Sequence, residues 1–139
     1  MNKENPIEDL FGEVIHTYTR AEAIEDGALV DVSEMAREAG FRWPVAMTRA
    51  AWEDCVAWTD TDSDRQTYQD ESGRLWDVLY MAQNAIRASG AGRCRIPFHL
   101  YRVPRDGKSV DARLAELQLV AGPGDFGEPV LTLLLPGED

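Results

Sequence analysis

Four sets of side chains in this sequence have types and spacings that could do chemistry. The first is acidic: Asp60, Asp62, Asp64 and Glu71 occupy positions one, three, five and twelve of a segment between two predicted helices. Alternate carboxylates with a distal glutamate are the pattern that surrounds one hard cation with oxygens. Arg65, however, stands at the sixth position, where a calcium loop turns on glycine, and Thr67 stands where paired loops carry an apolar residue. Residues 59–71 therefore read as a solvated acidic loop. The second set is the two histidines, His16 and His99, either of which could act as a general base. No serine or cysteine sits in a nucleophile motif beside them, and there is no glycine-rich phosphate loop or H-E-x-x-H pattern.

The third set is Cys55 and Cys94, which lack C-x-x-C spacing and make a zinc set with the histidines only in arithmetic. Cys55 follows Glu53 and Asp54, whose carboxylates raise a thiol's pKa, the opposite of what a reactive thiolate needs. Both cysteines are expected to be free and buried, and no metal or cofactor is expected. The fourth set is a pair of acidic rows. Glu22, Glu25 and Asp26 recur at three- and four-residue intervals on one predicted helix, and Glu34 and Glu38 repeat the spacing on the next. Such neighbours lie about 5–6 Å apart and could present negative charge to a basic surface. Trp43, between Arg42 and Pro44 in an extended segment, is expected to be exposed and to serve as an interface anchor.

These groups need elements to position them. Residues 14–18 read as a short strand, and Thr19 with Glu22 forms a capping box for a helix that Gly27 stops. A second short strand over 28–32 precedes a helix capped by Ser33 and closed by Gly40. Residues 41–47 are extended, with Pro44 pointing to an edge or a loop. Thr48 caps a helix from Arg49 to about Trp58. The longest helical pattern begins at Ser72 or Gly73, with Leu75, Val78, Leu79, Ala82, Ala85 and Ile86 as its apolar stripe and Arg74, Asp77, Gln83 and Arg87 facing away. Trp52, Trp58 and Trp76 are expected in the core.

After Gly92 the period changes. Ile96, Phe98 and Leu100 alternate, residues 104–107 form a turn, and residues 130–135 are a continuous apolar run. The expected fold is α+β in one domain over residues 1–139: short strands and helices first, one long central helix, then a three-stranded antiparallel meander. Its last strand is expected mid-sheet, with helices over one face.

Charge excludes several partners. With 25 acids against 14 bases the net charge is -11, which opposes non-specific binding to nucleic acid or anionic membranes. Residues 1–40 hold ten acids and three bases, so most of the imbalance lies there. The amino terminus lacks the apolar run of a secretory signal, no stretch approaches a membrane span, and a cytoplasmic protein is expected.

Several longer runs carry a resemblance. Val14-Ile-His-Thr-Tyr-Thr-Arg-Ala-Glu-Ala-Ile-Glu-Asp-Gly-Ala-Leu-Val-Asp-Val32, Trp52-Glu-Asp-Cys-Val-Ala-Trp58, Ser72-Gly-Arg-Leu-Trp-Asp-Val-Leu79, Tyr101-Arg-Val-Pro-Arg-Asp-Gly107 and Gly122-Pro-Gly-Asp125 resemble a family of small uncharacterised proteins encoded on bacterial plasmids, integrative elements and phages. The resemblance covers nearly the whole chain and assigns no active-site residue. It implies a setting in which accessory genes often encode small inhibitors of host defence. The expectation is a non-catalytic acidic inhibitor of anti-CRISPR or anti-restriction type. It would occupy a basic nucleic-acid-binding surface on a host defence protein or ribonucleoprotein through Glu22, Glu25, Asp26, Glu34, Glu38 and Trp43. The alternative is a small enzyme or ligand-binding module using His16 or His99.

Overall fold

A computed structural model describes residues 18–90 and 92–138. In chain order the elements are α1 (Arg20–Asp26), β1 (Leu29–Asp31), α2 (Ser33–Glu38), β2 (Val45–Thr48), α3 (Arg49–Cys55), α4 (Asp60–Arg65), α5 (Glu71–Ser89), β3 (Arg95–Arg102), β4 (Arg113–Pro123) and β5 (Pro129–Leu134). Of the predicted strand over 14–18, residues 14–17 lie outside the described residues and Tyr18 is in no strand. The architecture is α+β, but among the described residues the sheet has five strands rather than three, in the order β1-β2-β5-β4-β3. Every pairing is antiparallel except β2 with β5. A parallel pair needs a long crossover, and here α3 to β4 supply it.

Two expectations change for that reason. Residues 45–48 are an interior strand, paired to β1 on one side and to β5 on the other, and Pro44 escapes the usual penalty because it precedes the ladder. Its carbonyl still accepts from Leu131 N at 2.9 Å. Helices also cover both faces. Ala36 of α2, Ala51 of α3 and Leu79 of α5 share one core with Met47, Leu117 and Leu133. On the opposite face Arg20 of α1 donates to Thr132 Oγ1 at 2.8 Å and to the Leu131 carbonyl at 2.7 Å. Cover on both sides explains why β5 is apolar without alternation.

Local capping sets the helix starts. In α1, Thr19 Oγ1 accepts from Glu22 N at 3.0 Å and Glu22 Oε1 accepts from Thr19 N at 2.9 Å, while Gly27 ends the helix at φ 86°. Thr48 Oγ1 accepts from Ala51 N at 3.1 Å to start α3, which ends at Cys55, short of Trp58. Ser33 does not cap α2. It is the first helical residue, and its hydroxyl donates to Asp31 Oδ1 at 2.6 Å and accepts from Val45 N at 3.0 Å, tying the helix start to β2.

The supposed loop over 59–71 contains α4. Thr59 and Asp62 form a second capping box, Thr59 Oγ1 accepting from Asp62 N at 3.2 Å and Asp62 Oδ2 accepting from Thr59 N at 2.8 Å. A threonine three residues before an acid, the same signature as in α1, was the available signal. At the far edge of the sheet, Ala121 N donates to the Cys94 carbonyl at 2.8 Å and Ile96 is in register with Leu119. Even-numbered residues of β3 therefore make the ladder bonds, and Pro97, which has no N–H to offer, faces outward and blunts the edge. Among the described residues no helix is long and apolar enough to cross a membrane.

Candidate protein-binding surface

The acidic side chains divide into two populations. In the middle of the chain three acids have arginine partners, while Asp60, Asp64 and Asp77 are exposed without one among the described residues. Glu53 pairs with Arg49 at 3.5 Å and with Arg105 at 3.3 Å, Asp54 with Arg102 at 3.1 Å, and Asp62 with Arg105 at 2.7 Å. Burial would raise the Asp62 carboxyl, but the Thr59 hydrogen bonds and the Arg105 guanidinium outweigh it and hold the group below the ordinary aspartate range. These carboxylates lock α3 and α4 to the end of β3 and to the loop after it.

The N-terminal acids differ. Glu22 is used inside its capping box, and Asp26 Oδ2 accepts the Tyr18 hydroxyl at 3.0 Å. Glu25 on α1 and Glu34 and Glu38 on α2 are exposed, and their carboxylates have no hydrogen-bond or ion-pair partner among the described residues. α1 packs on β1 and α2 on β2, so these two adjacent strands carry both acidic rows. Trp43 is 44% exposed and lines a cleft of about 380 Å³ with Arg42 and Arg93.

Other candidates move. His16 lies outside the described residues. His99 is exposed on β3 with Nε2 3.7 Å from Glu116 Oε1, too long for a hydrogen bond. It borders a separate cleft of about 380 Å³ with Asp77, Tyr80 and Tyr101. Of the cysteines only Cys55 is buried, and Cys94 is exposed. Burial and the neighbouring Asp54 push the Cys55 thiol up to about 12, so thiolate is scarce at neutral pH. A thiol reagent is accordingly expected to modify one cysteine in the folded protein and two after unfolding. Rapid modification of both in the folded state would contradict the burial of Cys55. Among the described residues no group of three or more His, Cys, Asp or Glu side chains is arranged to hold a metal ion. The acids at 60, 62 and 64 are spread around a helical turn.

Two features escape the sequence reading. Trp76 is 40% exposed rather than core, and with Tyr80, one turn further on, and Tyr101 on β3 it leaves aromatic surface open along α5. Its position off the Leu75, Val78 and Leu79 stripe was the signal. Arg74, expected to face away, is 5% exposed. Its Nε donates to the Val56 carbonyl at 3.0 Å and its Nη1 to the Val103 carbonyl at 3.0 Å and to Gln69 Oε1 at 2.7 Å. Four-residue spacing from Arg74 to Val78 and Ala82 already placed it on the buried line.

The arrangement puts exposed carboxylates on α1 and α2, which lie on opposite faces of the sheet, and exposed aromatics along α5 and β3, while the buried thiol is protonated and the His99 imidazole has no hydrogen-bond partner among the described residues. No curated protein and no solved structure matches the chain. The family model described as "Family of unknown function (DUF6573)" matches residues 8–139, and the chain belongs to that family.

Proposed function

We propose that the protein is a non-catalytic inhibitor from a mobile genetic element such as a plasmid, integrative element or phage, acting in the bacterial cytoplasm. Its acidic N-terminal third binds a basic nucleic-acid-binding surface of a host defence complex, of CRISPR-effector or restriction-enzyme type, and keeps nucleic acid out. One observation carries this reading: the exposed carboxylates of Glu25, Glu34 and Glu38 lack internal partners, whereas Glu53, Asp54 and Asp62 pair with arginines. Unpaired surface charge of one sign steers association with a surface of the other sign, while paired charge does not. Trp43 and Trp76 add exposed aromatic area of the kind that anchors interfaces.

The test is the association rate with purified, nucleic-acid-free effectors of the two types. Raising salt is expected to slow association, and exchanging Glu25, Glu34 and Glu38 together for lysine to slow it about 10- to 1,000-fold at low salt. An effector that bound equally well at low and high salt, and equally well to the triple variant, would overturn the mechanism. The second reading, a ligand-binding module at His99, draws on the placement of that imidazole beside Glu116 at the rim of a cleft. It predicts effector binding indifferent to all three lysines.

A further inference from the structure

β3 is an edge strand, hydrogen-bonded among the described residues to β4 alone. Its even-numbered residues make the ladder bonds, so its odd-numbered amides and carbonyls point away from the sheet. Both ends of that outward row are already engaged. The Arg95 carbonyl accepts from Arg93 Nη2 at 3.2 Å, and the Val103 carbonyl, just past the strand, accepts from Arg74 Nη1 at 3.0 Å. Pro97 has a carbonyl but no amide. What stays open, among the described residues, is the middle of the edge: the amide and carbonyl of His99, those of Tyr101, and the carbonyl of Pro97.

Edges of this kind are usually guarded by lysine, other charges or proline. Here residues 96–101 carry no lysine, arginine or acid, and Pro97 guards only one end. Tyr80 and Met81 of α5, Tyr101 of β3 and Leu114 of β4 are all exposed and line the cleft along this edge, so a strand added to β3 would lie among apolar side chains. The symmetry of the open groups names the strand. His99 and Tyr101 stand one residue to either side of Leu100, so a second copy laid antiparallel about a twofold axis at Leu100 sets His99 opposite the partner's Tyr101 and Tyr101 opposite the partner's His99. Every amide and carbonyl of these residues is then paired on both chains. The next position outward sets Pro97, which has no amide to give, against the partner's Val103, whose carbonyl Arg74 already fills. A foreign strand would leave a group unmatched at each of these ends; a copy of the same edge leaves none. The exposed acids Glu25, Glu34 and Glu38, which would repel a second copy, ride on helices over β1 and β2 at the opposite edge of the sheet.

We propose that the protein forms a twofold dimer in which β3 pairs with β3 of a second copy, centred on Leu100, so that two five-stranded sheets become one. The contact is independent of any defence target. α1 and α2 lie toward the far ends of the joined sheet and take no part in it.

Sedimentation equilibrium of the full-length protein is expected to show a concentration-dependent passage from monomer to dimer. In concentrated solution the amides of His99 and Tyr101 are expected to exchange with deuterium at least about tenfold more slowly than in dilute solution. The outward amide of Arg95, beyond Pro97, is the internal control and is expected to exchange alike in both. Two double variants test the register at exposed positions: His99→Lys with Tyr101→Lys, and His99→Glu with Tyr101→Glu. Each alone is expected to be a folded monomer by circular dichroism and sedimentation, because like charges face each other across the axis, and an equimolar mixture of the two is expected to dimerise. A wild-type chain that stays monomeric into the millimolar range would overturn the proposal. So would a dimer whose His99 and Tyr101 amides remain unprotected, or one that persists in both double variants, because the copies would then meet through another face. Folded variants that stay monomeric when mixed would rule out the pairing of residue 99 with residue 101.

Discussion

Arg74→Ala is expected to lower stability by about 3–4 kcal/mol and the thermal midpoint by roughly 10 °C, the largest loss from any single polar side chain in the described structure. Among the described residues Arg74 is the one charged residue that is buried. It closes the junction of α3, β3 and α5 from the inside, beside the Arg102–Asp54 pair: its Nε and Nη1 bond the carbonyl of Val56, just past α3, and that of Val103, just past β3, while Gln69, just before α5, fixes the guanidinium. Removing the donors strands two carbonyls, each costing about 1–3 kcal/mol if it stays dry. Nη2 has no oxygen partner, but the guanidinium carbon lies 4.6 Å over the centre of the Trp58 ring, whose electron-rich face is the counter-group. Burial pushes Arg74 below the ordinary arginine value, yet a guanidinium keeps its charge at any pH at which the protein is studied. Arg74→Lys is expected to recover about half of the loss, because an ammonium reaches one carbonyl and cannot stack flat. Thermal denaturation followed by circular dichroism checks both variants. A loss under about 1 kcal/mol for the alanine variant would mean that water replaces the guanidinium without penalty.

Leu133→Ala is expected to cost about 3–4 kcal/mol, by lost burial and by the cavity left behind. β5 is the middle strand of five, and Leu133 is in register with Met47 on one side and Leu119 on the other. All three belong to the core beneath α5, so the space has little freedom to collapse. Leu114→Ala is the control, since that leucine is 56% exposed on β4 and its loss is expected to stay within about 0.5 kcal/mol. Urea unfolding of the two variants should shift the midpoint for Leu133 alone, with the slope unchanged. Equal shifts would place the centre of the sheet elsewhere.

The legible parts of this protein are those whose physics closes within a few residues. The Thr19–Glu22 capping box, the left-handed Gly27 and the Thr48 cap are all present, because a side chain and a backbone N–H three residues apart need no outside help. The stripe of α5 was legible by its period, and the same period held two signals that were passed over, Arg74 on the buried line and Trp76 off it. The α4 capping box was hidden by the acidity of its segment, where Asp62 serves as cap and as partner of Arg105 at once.

For the candidate surface, the sequence by itself determined the excess of acids, its concentration before residue 41 and the short helices that carry it. Only the tertiary structure decided which acids remain unpaired, because Arg102 and Arg105 meet Asp54, Glu53 and Asp62 across 43 to 52 positions of chain. The parallel pairing of β2 with β5 belongs to the same class, as does the cleft lined by the α2–β2 connection, α5 and strands β3, β4 and β5. Each depends on partners brought together by the crossover, and no pattern of three, four or two residues records an acquaintance made at that distance.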